Sequence, residues 1–272
     1  MKLMLFRHLW GVDEAWETFF PKAKKAGYQG IETGVPQGKD RAKLKKLLKD
    51  NGLKLIAGIY TGGHSATEHA ESFEAQLADA VSLDPVLVNS HSGKDYFKAS
   101  ENSAFFSRAL KAEQKAGVKV AHETHRGRVL YNPWVTRDIL AEFPELSLNF
   151  DLSHWVCIAE RLLETEGEII KTAAKRCIHI HARVGYEEGP QVPDPRAPEY
   201  QRALLAHEAW WDMAWAAQKA KGEKVSTLTP EFGPPDYMHT LPYTNAPVAD
   251  LNAICDWQAM RQAARFAKKY GR

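Results

Sequence analysis

Short runs of apolar and β-branched residues alternate along the whole chain with longer stretches of helical periodicity. The strand-like runs are KLMLF from Lys2, YQGIE from Tyr28, LKLIAGIY from Leu53, PVLVN from Pro85, VKVAHE from Val118, LSLNFD from Leu146, CIHIHA from Cys177 and VSTLTPE from Val225. Helical patterns cover 13–26, 39–51, 67–81, 102–116, 133–143, 159–175 and 207–221, and a last one covers 248–270. Gly27, Gly52, Gly117 and Gly222 stand just past four of these, where a helix end favours a residue of positive φ. Eight strand–helix units at intervals of roughly 30 residues predict a (β/α)8 TIM barrel, an α/β fold, as a single domain over 1–272. A doubly wound open sheet is the alternative. It would carry a glycine-rich phosphate turn after its first strand, where this chain has FRHLWGVDE.

Alternation within the strands refines the expectation, because successive side chains face opposite sides of a sheet. Ser147, Asn149 and Asp151 share one face, as do Cys177, His179 and His181, and Thr227, Thr229 and Glu231. Leu148, Phe150, Ile178 and Ile180 take the other face. The polar face is expected to line the barrel and the apolar face to meet the helices. Lys119 shares its parity with Glu123 and must leave through the lower rim.

Composition narrows the classes of function. At 272 residues the chain has the length of an α/β barrel, and a net charge of +2 supplies no basic surface for nucleic acid. Partner choice must therefore come from a site. Cys157, Cys177 and Cys255 are odd in number and widely spaced, which predicts free thiols in a reducing compartment and a cytoplasmic protein. The opening MKLMLFRHLWG meets charge too early for a signal peptide, and no apolar stretch approaches the ~18 residues of a membrane span.

Four potential metal ligands fall at the ends of the last four strand-like runs: Glu123 in KVAHETH, Asp151 in LNFDLSHW, His181 in IHIHARV and Glu231 in TLTPEFGPP. Three carboxylates and one imidazole make a mostly hard donor set, suited to one divalent ion, Mn²⁺ first and Mg²⁺ or Co²⁺ next. Four protein ligands leave two positions of an octahedron for vicinal oxygens of a sugar. The pattern of Glu on the fifth strand, DxxH on the sixth (Asp151, His154), HxH on the seventh (His179, His181) and Glu on the eighth resembles the sugar isomerase/epimerase superfamily of xylose-isomerase-like TIM barrels. That superfamily includes ketose 3-epimerases, hydroxypyruvate isomerases and inosose dehydratases. The resemblance implies that Glu123, Asp151, His181 and Glu231 bind the metal. It further implies that Glu123 and Glu231 face opposite sides of a keto-sugar or related polyol as catalytic acid and base through an enediolate.

Around these residues, His154, Glu32, His8, His91, Arg183 and Trp155 are candidate substrate contacts, with His64, Asn89, Trp10, Arg126 and Arg128 near other strand ends. Ketose epimerases of the superfamily carry an arginine six residues after the strand-seven histidine; Glu187 stands there in this chain, with Arg183 only two residues on. That departure opens an alternative, a dehydratase or lyase that eliminates from a keto-sugar or keto-glycoside after the same proton abstraction. A third reading is an endonuclease IV-like trinuclear zinc phosphodiesterase, since His64, His91 and His154 extend the ligand set in that direction. The DxH pair that family needs is absent, Asp194-Pro195-Arg196 being the nearest sequence. A barrel that only binds a sugar is the non-enzymatic reading. The expected partner is a small carbohydrate, with no nucleic acid and no membrane, in a monomer or homo-oligomer. The proline-rich segment 185–200 and the stretch after Glu231 are expected to cover the site, form a subunit contact or pack as surface loops.

Overall fold

A computed structural model describes residues 1–271, in which eight parallel strands close into a barrel in sequence order. The strands are β1 (Lys2–His8), β2 (Gly30–Gly34), β3 (Lys54–Tyr60), β4 (Leu87–His91), β5 (Val120–Glu123), β6 (Leu148–Phe150), β7 (Cys177–His181) and β8 (Val225–Thr229). The helices are α1 (Trp16–Lys25), α2 (Gly38–Asn51), α3 (Ala66–Val81), α4 (Ala99–Ala116), α5 (Pro133–Glu142), α6 (Ser153–Ala159), α7 (Gly167–Ala174), α8 (Gln201–Ala220) and α9 (Leu251–Tyr270). All eight expected strands form, and the four helix-end glycines have positive φ, from 58° at Gly52 to 97° at Gly27. No helix among the described residues is long and apolar enough to cross a membrane.

The barrel is filled from below by apolar side chains. Phe6, Ile56, Leu87 and Ala121 pack together there with Met4 and Ile178. Gly30 belongs to this layer by what it lacks: a Cβ on it would lie 2.2 Å from the ring of Phe6. Above the plug, inward side chains turn polar, and Glu32, Asn89, Asn149 and His179 are all buried in the lumen. A second and larger apolar cluster, with Phe73, Phe105, Phe150 and Trp211, lies between strands and helices. Lys119 leaves through the lower rim as expected and sits 3.7 Å from Glu223.

Three local expectations are corrected. The β6–β7 register slips, pairing Leu148 with Cys177 but Asn149 with His179, so one extra residue is accommodated on β7. Parity breaks there: Ile178 joins the lumenal cluster and Cys177 the outer one. The single helix expected over 159–175 is two, because Glu160 and Leu163 adopt left-handed conformations with φ of 50° and 54°. That break lets α6 begin at Ser153, two residues after Asp151, instead of at 159. α8 also starts six residues before the expected 207, continuing from a 3₁₀ turn at Pro198–Tyr200.

Candidate metal centre

Strand ends deliver the four predicted ligands to one point. Glu123 and His181 are the last residues of β5 and β7, Asp151 follows β6, and Glu231 lies just beyond β8. One donor atom from each lies within 4.8 Å of all the others. His181 Nδ1 is 2.9 Å from Glu231 Oε2 and 3.4 Å from Glu123 Oε2. It makes no aligned hydrogen bond, and Glu123 Oε1 is likewise buried without a partner. Two buried donors left open toward a carboxylate cluster are what a cation would satisfy, since orphaned buried polar groups are otherwise costly. The hard donor set agrees with a divalent ion, so the residues fit the group the sequence suggests.

Each of the four side chains is held from outside. Asn89 Nδ2 donates to Glu123 Oε2 at 2.7 Å and Asn149 Nδ2 to the same oxygen at 3.3 Å. The imidazole of His91 lies 3.0 Å from it. Glu32 Oε1 accepts from His181 Nε2 at 2.9 Å. Ser153 donates to Asp151 through both its amide and its hydroxyl. Arg183 bridges the remaining pair, its Nη2 standing 2.6 Å from Asp151 Oδ2 and 2.5 Å from Glu231 Oε2.

The charges are unevenly matched, with four carboxylates, Glu32, Glu123, Asp151 and Glu231, gathered around Arg183 and His181. Burial by itself raises Glu123, but His91 and His181 hold it well below the ordinary carboxylate range. Burial also raises Glu231, yet Arg183 and His181 bring it down to about 2. Asp151 goes the other way, pushed up to about 6 because burial, with help from Glu231 and Glu123, outweighs Arg183. Burial would lower His181, but Glu231, Glu32 and Glu123 lift it well above the usual imidazole range. The cluster therefore attracts a further positive charge.

A cavity of about 480 Å³ opens above these groups, lined in part by His8, Trp10, Tyr60, His91, His125 and Tyr237. Tyr237 stacks between Arg183 and Arg126, 4.8 and 5.0 Å from its ring centre, with Trp10 edge-on at 5.0 Å. Gly233 makes this roof fit, since a Cβ there would come within 2.1 Å of the Trp10 ring. Gln191 pairs through both side-chain atoms with the Gly233 backbone, at 2.7 and 3.1 Å, tying the 185–200 segment to the stretch after β8.

His8, Glu32, His91 and Arg183 all reach the cavity wall. His154 is fully buried behind it, 3.6 Å from Asp151, with its ring centre 3.9 Å from that of His125 and tilted 47° to it. Trp155 is a correction: it faces the core, fully buried, and its indole N–H donates to the Leu130 carbonyl at 3.0 Å. Arg128 donates to the backbone of Thr61 at 2.9 Å, while Glu187 points outward to Arg202. His64 is exposed, and among the described residues neither it nor His154 belongs to a group of converging metal donors. The extended trinuclear set is thus not assembled. His125 and Tyr237 are not among the sequence candidates, and Asn149 and Thr229 are expected only on the inward face, with no role at the site. His125 and Asn149 share strand parity with Glu123 and Asp151, a signal available in the sequence; Tyr237 sits in an irregular segment that carries none.

A family model described as xylose isomerase-like TIM barrel matches residues 20–194. Among solved structures, the chain is similar to the probable 3-DHS dehydratase AsbF of Bacillus anthracis, at 14% identity and a TM-score of 0.60, covering 99% of this chain and 100% of that one. It is similar to the 3-keto-D-glucoside 4-epimerase YcjR of E. coli, at 11% identity and a TM-score of 0.61, covering 97% and 100%. A sugar phosphate isomerase/epimerase of Parabacteroides distasonis aligns at 12% identity and a TM-score of 0.57, covering 99% and 94%. At such identities the likeness is one of fold. No curated protein matches the chain.

Proposed function

The chain belongs to the xylose isomerase-like TIM-barrel family, and from that premise we propose that it is a divalent-metal-dependent isomerase or epimerase of a keto-sugar or related polyol. The observation that carries this reading is the convergence of Glu123, Asp151, His181 and Glu231 beneath an open cavity walled by aromatic and polar side chains. A divalent ion held by these four, manganese by preference, would draw off the negative charge left when a proton is removed beside a carbonyl. Every other task falls to the chain. Glu123 takes the proton, with Oε2 fixed by Asn89 and Asn149 and Oε1 free of protein partners. Glu231, three strands round the rim, returns a proton to the intermediate. Trp10 and Tyr237 cover the sugar, and the imidazoles of His91 and His125 border it on the Glu123 side.

A second reading, elimination of water or an aglycone, draws support from Arg183. The guanidinium keeps Glu231 at about 2, which makes that carboxyl a reluctant proton donor, and Arg183 Nη1 is buried without a partner of its own. A cation so placed favours departure of an anionic leaving group over return of a proton to carbon.

Incubation of the Mn²⁺-loaded protein with a panel of keto-sugars in D₂O tests both. Deuterium entering the carbon next to the carbonyl, abolished by Glu123→Gln, supports enediolate chemistry. Retention of every carbon–oxygen bond identifies the isomerase or epimerase, and loss of water or aglycone the lyase. No exchange with any keto-sugar contradicts the proposal.

A further inference from the structure

We infer that Glu32 is a positioning residue for His181: its carboxylate fixes the imidazole so that Nδ1, and not Nε2, is presented to the metal. The inference rests on the proposed metal centre and reaches one layer deeper into the barrel. The sequence suggested substrate hydroxyls as partners for Glu32, but both of its oxygens are taken by protein groups. Oε1 accepts from His181 Nε2 at 2.9 Å; Oε2 accepts from the Thr229 hydroxyl and from His179 Nε2 at 3.2 Å. His179 is braced in turn by Thr227, 2.9 Å from its Nδ1. Glu32 is only 5% exposed. It reaches across the lumen from β2 to β7, two strands that share no edge in the barrel.

A carboxylate can only accept hydrogen bonds, so the contact at Oε1 requires the proton on His181 Nε2. Nδ1 is then the nitrogen available to a metal, and it faces Glu231 at 2.9 Å and Glu123 at 3.4 Å. Carboxylates that accept from the far nitrogen of a ligating histidine hold its orientation and strengthen it as a ligand; their loss typically weakens metal binding about 10–100-fold. Glu32, His179 and His181 also place donor atoms within 4.8 Å of one another. That geometry makes the distinguishing question sharp, because an ion held there would take Nε2 as a ligand and displace its proton.

Mn²⁺ titration of the full chain, followed by the electron-spin resonance of free ion, tests the assignment in wild type, Glu32→Gln, Glu32→Ala and His181→Ala. Thermal melts of each protein without metal establish that it folds. One ion per chain is expected in wild type. Dissociation constants should rise about 10–100-fold in Glu32→Ala and less in Glu32→Gln, which keeps an oxygen to accept from Nε2. The nitrogen hyperfine signature of a ligating imidazole, present in wild type and absent in His181→Ala, should be altered in both Glu32 variants. A merely structural role for Glu32 would leave that signature intact. Wild-type affinity and hyperfine coupling in both variants, beside lost binding in His181→Ala, overturns the inference alone. Two ions in wild type, one of them lost with Glu32, also overturns it. No binding by wild type overturns the proposed function and the inference with it.

Discussion

Replacing Arg183 with methionine should destabilise the metal-free protein sharply and the metal-loaded protein much less. Arg183 is 1% exposed, and its Nη2 is shared by Asp151 and Glu231 at 2.6 and 2.5 Å. Methionine keeps most of the apolar stem beneath Tyr237 but leaves Asp151 and Glu231 without the guanidinium that bridges them. Removing one partner of a buried ion pair typically costs about 3–5 kcal/mol. The lower end applies here for two reasons. Glu231 is partly exposed, and Asp151, already raised to about 6, can take up a proton once the guanidinium is gone. About 3 kcal/mol corresponds to a fall in melting temperature of roughly 6–12 °C for a domain of this size. Mn²⁺ at about 100 times the wild-type dissociation constant returns about 2.7 kcal/mol to wild type. The variant should gain more than wild type, because Arg183 no longer competes for two of the ligand oxygens. Calorimetric melts in chelator and in Mn²⁺ read both effects. A metal-free variant that melts within a degree of wild type, or a gap that Mn²⁺ does not narrow, refutes this account of the charge balance.

Further outcomes follow from single contacts. Trp155→Phe leaves the Leu130 carbonyl without its donor and should cost about 1–3 kcal/mol of stability, with no change in KM; a raised KM at unchanged melting temperature would return Trp155 to the cavity. Gly233→Ala puts a methyl group where the Trp10 ring lies and should raise the KM for a sugar several-fold as Trp10 swings outward, with a shift in tryptophan emission; an unchanged KM and spectrum contradict the roof. His207 donates from Nδ1 to the Ala203 carbonyl and accepts at Nε2 from Gly185 N–H, and burial lowers it to about 4. Neutral in the fold but protonated below about 6.5 when unfolded, it should withdraw up to roughly 3 kcal/mol of stability as pH falls from 6.5 to 4. Denaturant unfolding of wild type against His207→Gln isolates that share, and parallel pH profiles for the two would contradict it.

Much of the architecture could be read in the sequence because a parallel barrel writes itself as repeated apolar runs, each ending where chemistry begins. The convergence of Glu123, Asp151, His181 and Glu231 was legible for that reason: each terminates or closely follows such a run, and strand parity turns it inward. What could not be read depends on single-residue events. The slip beside Asn149 reverses Cys177 and Ile178, and a break at Glu160 and Leu163 splits one helical pattern into two. Both are local departures that average periodicity does not register. Trp155 illustrates a different limit. A tryptophan next to a site histidine serves equally well as a sugar platform or as core, and only the neighbouring Leu130 carbonyl decides. Arg183 follows parity to the correct face, but its position between two ligands depends on a three-dimensional approach of β6 and β8 that no linear spacing encodes.

The most direct test of the central claim is an anomalous difference map from crystals soaked in Mn²⁺ with a keto-sugar. A single peak bonded to Glu123, Asp151, His181 and Glu231, with two sugar oxygens completing its coordination, is the predicted result. A peak that omits Glu123 or Asp151, or no peak at the mouth of the barrel, would contradict it.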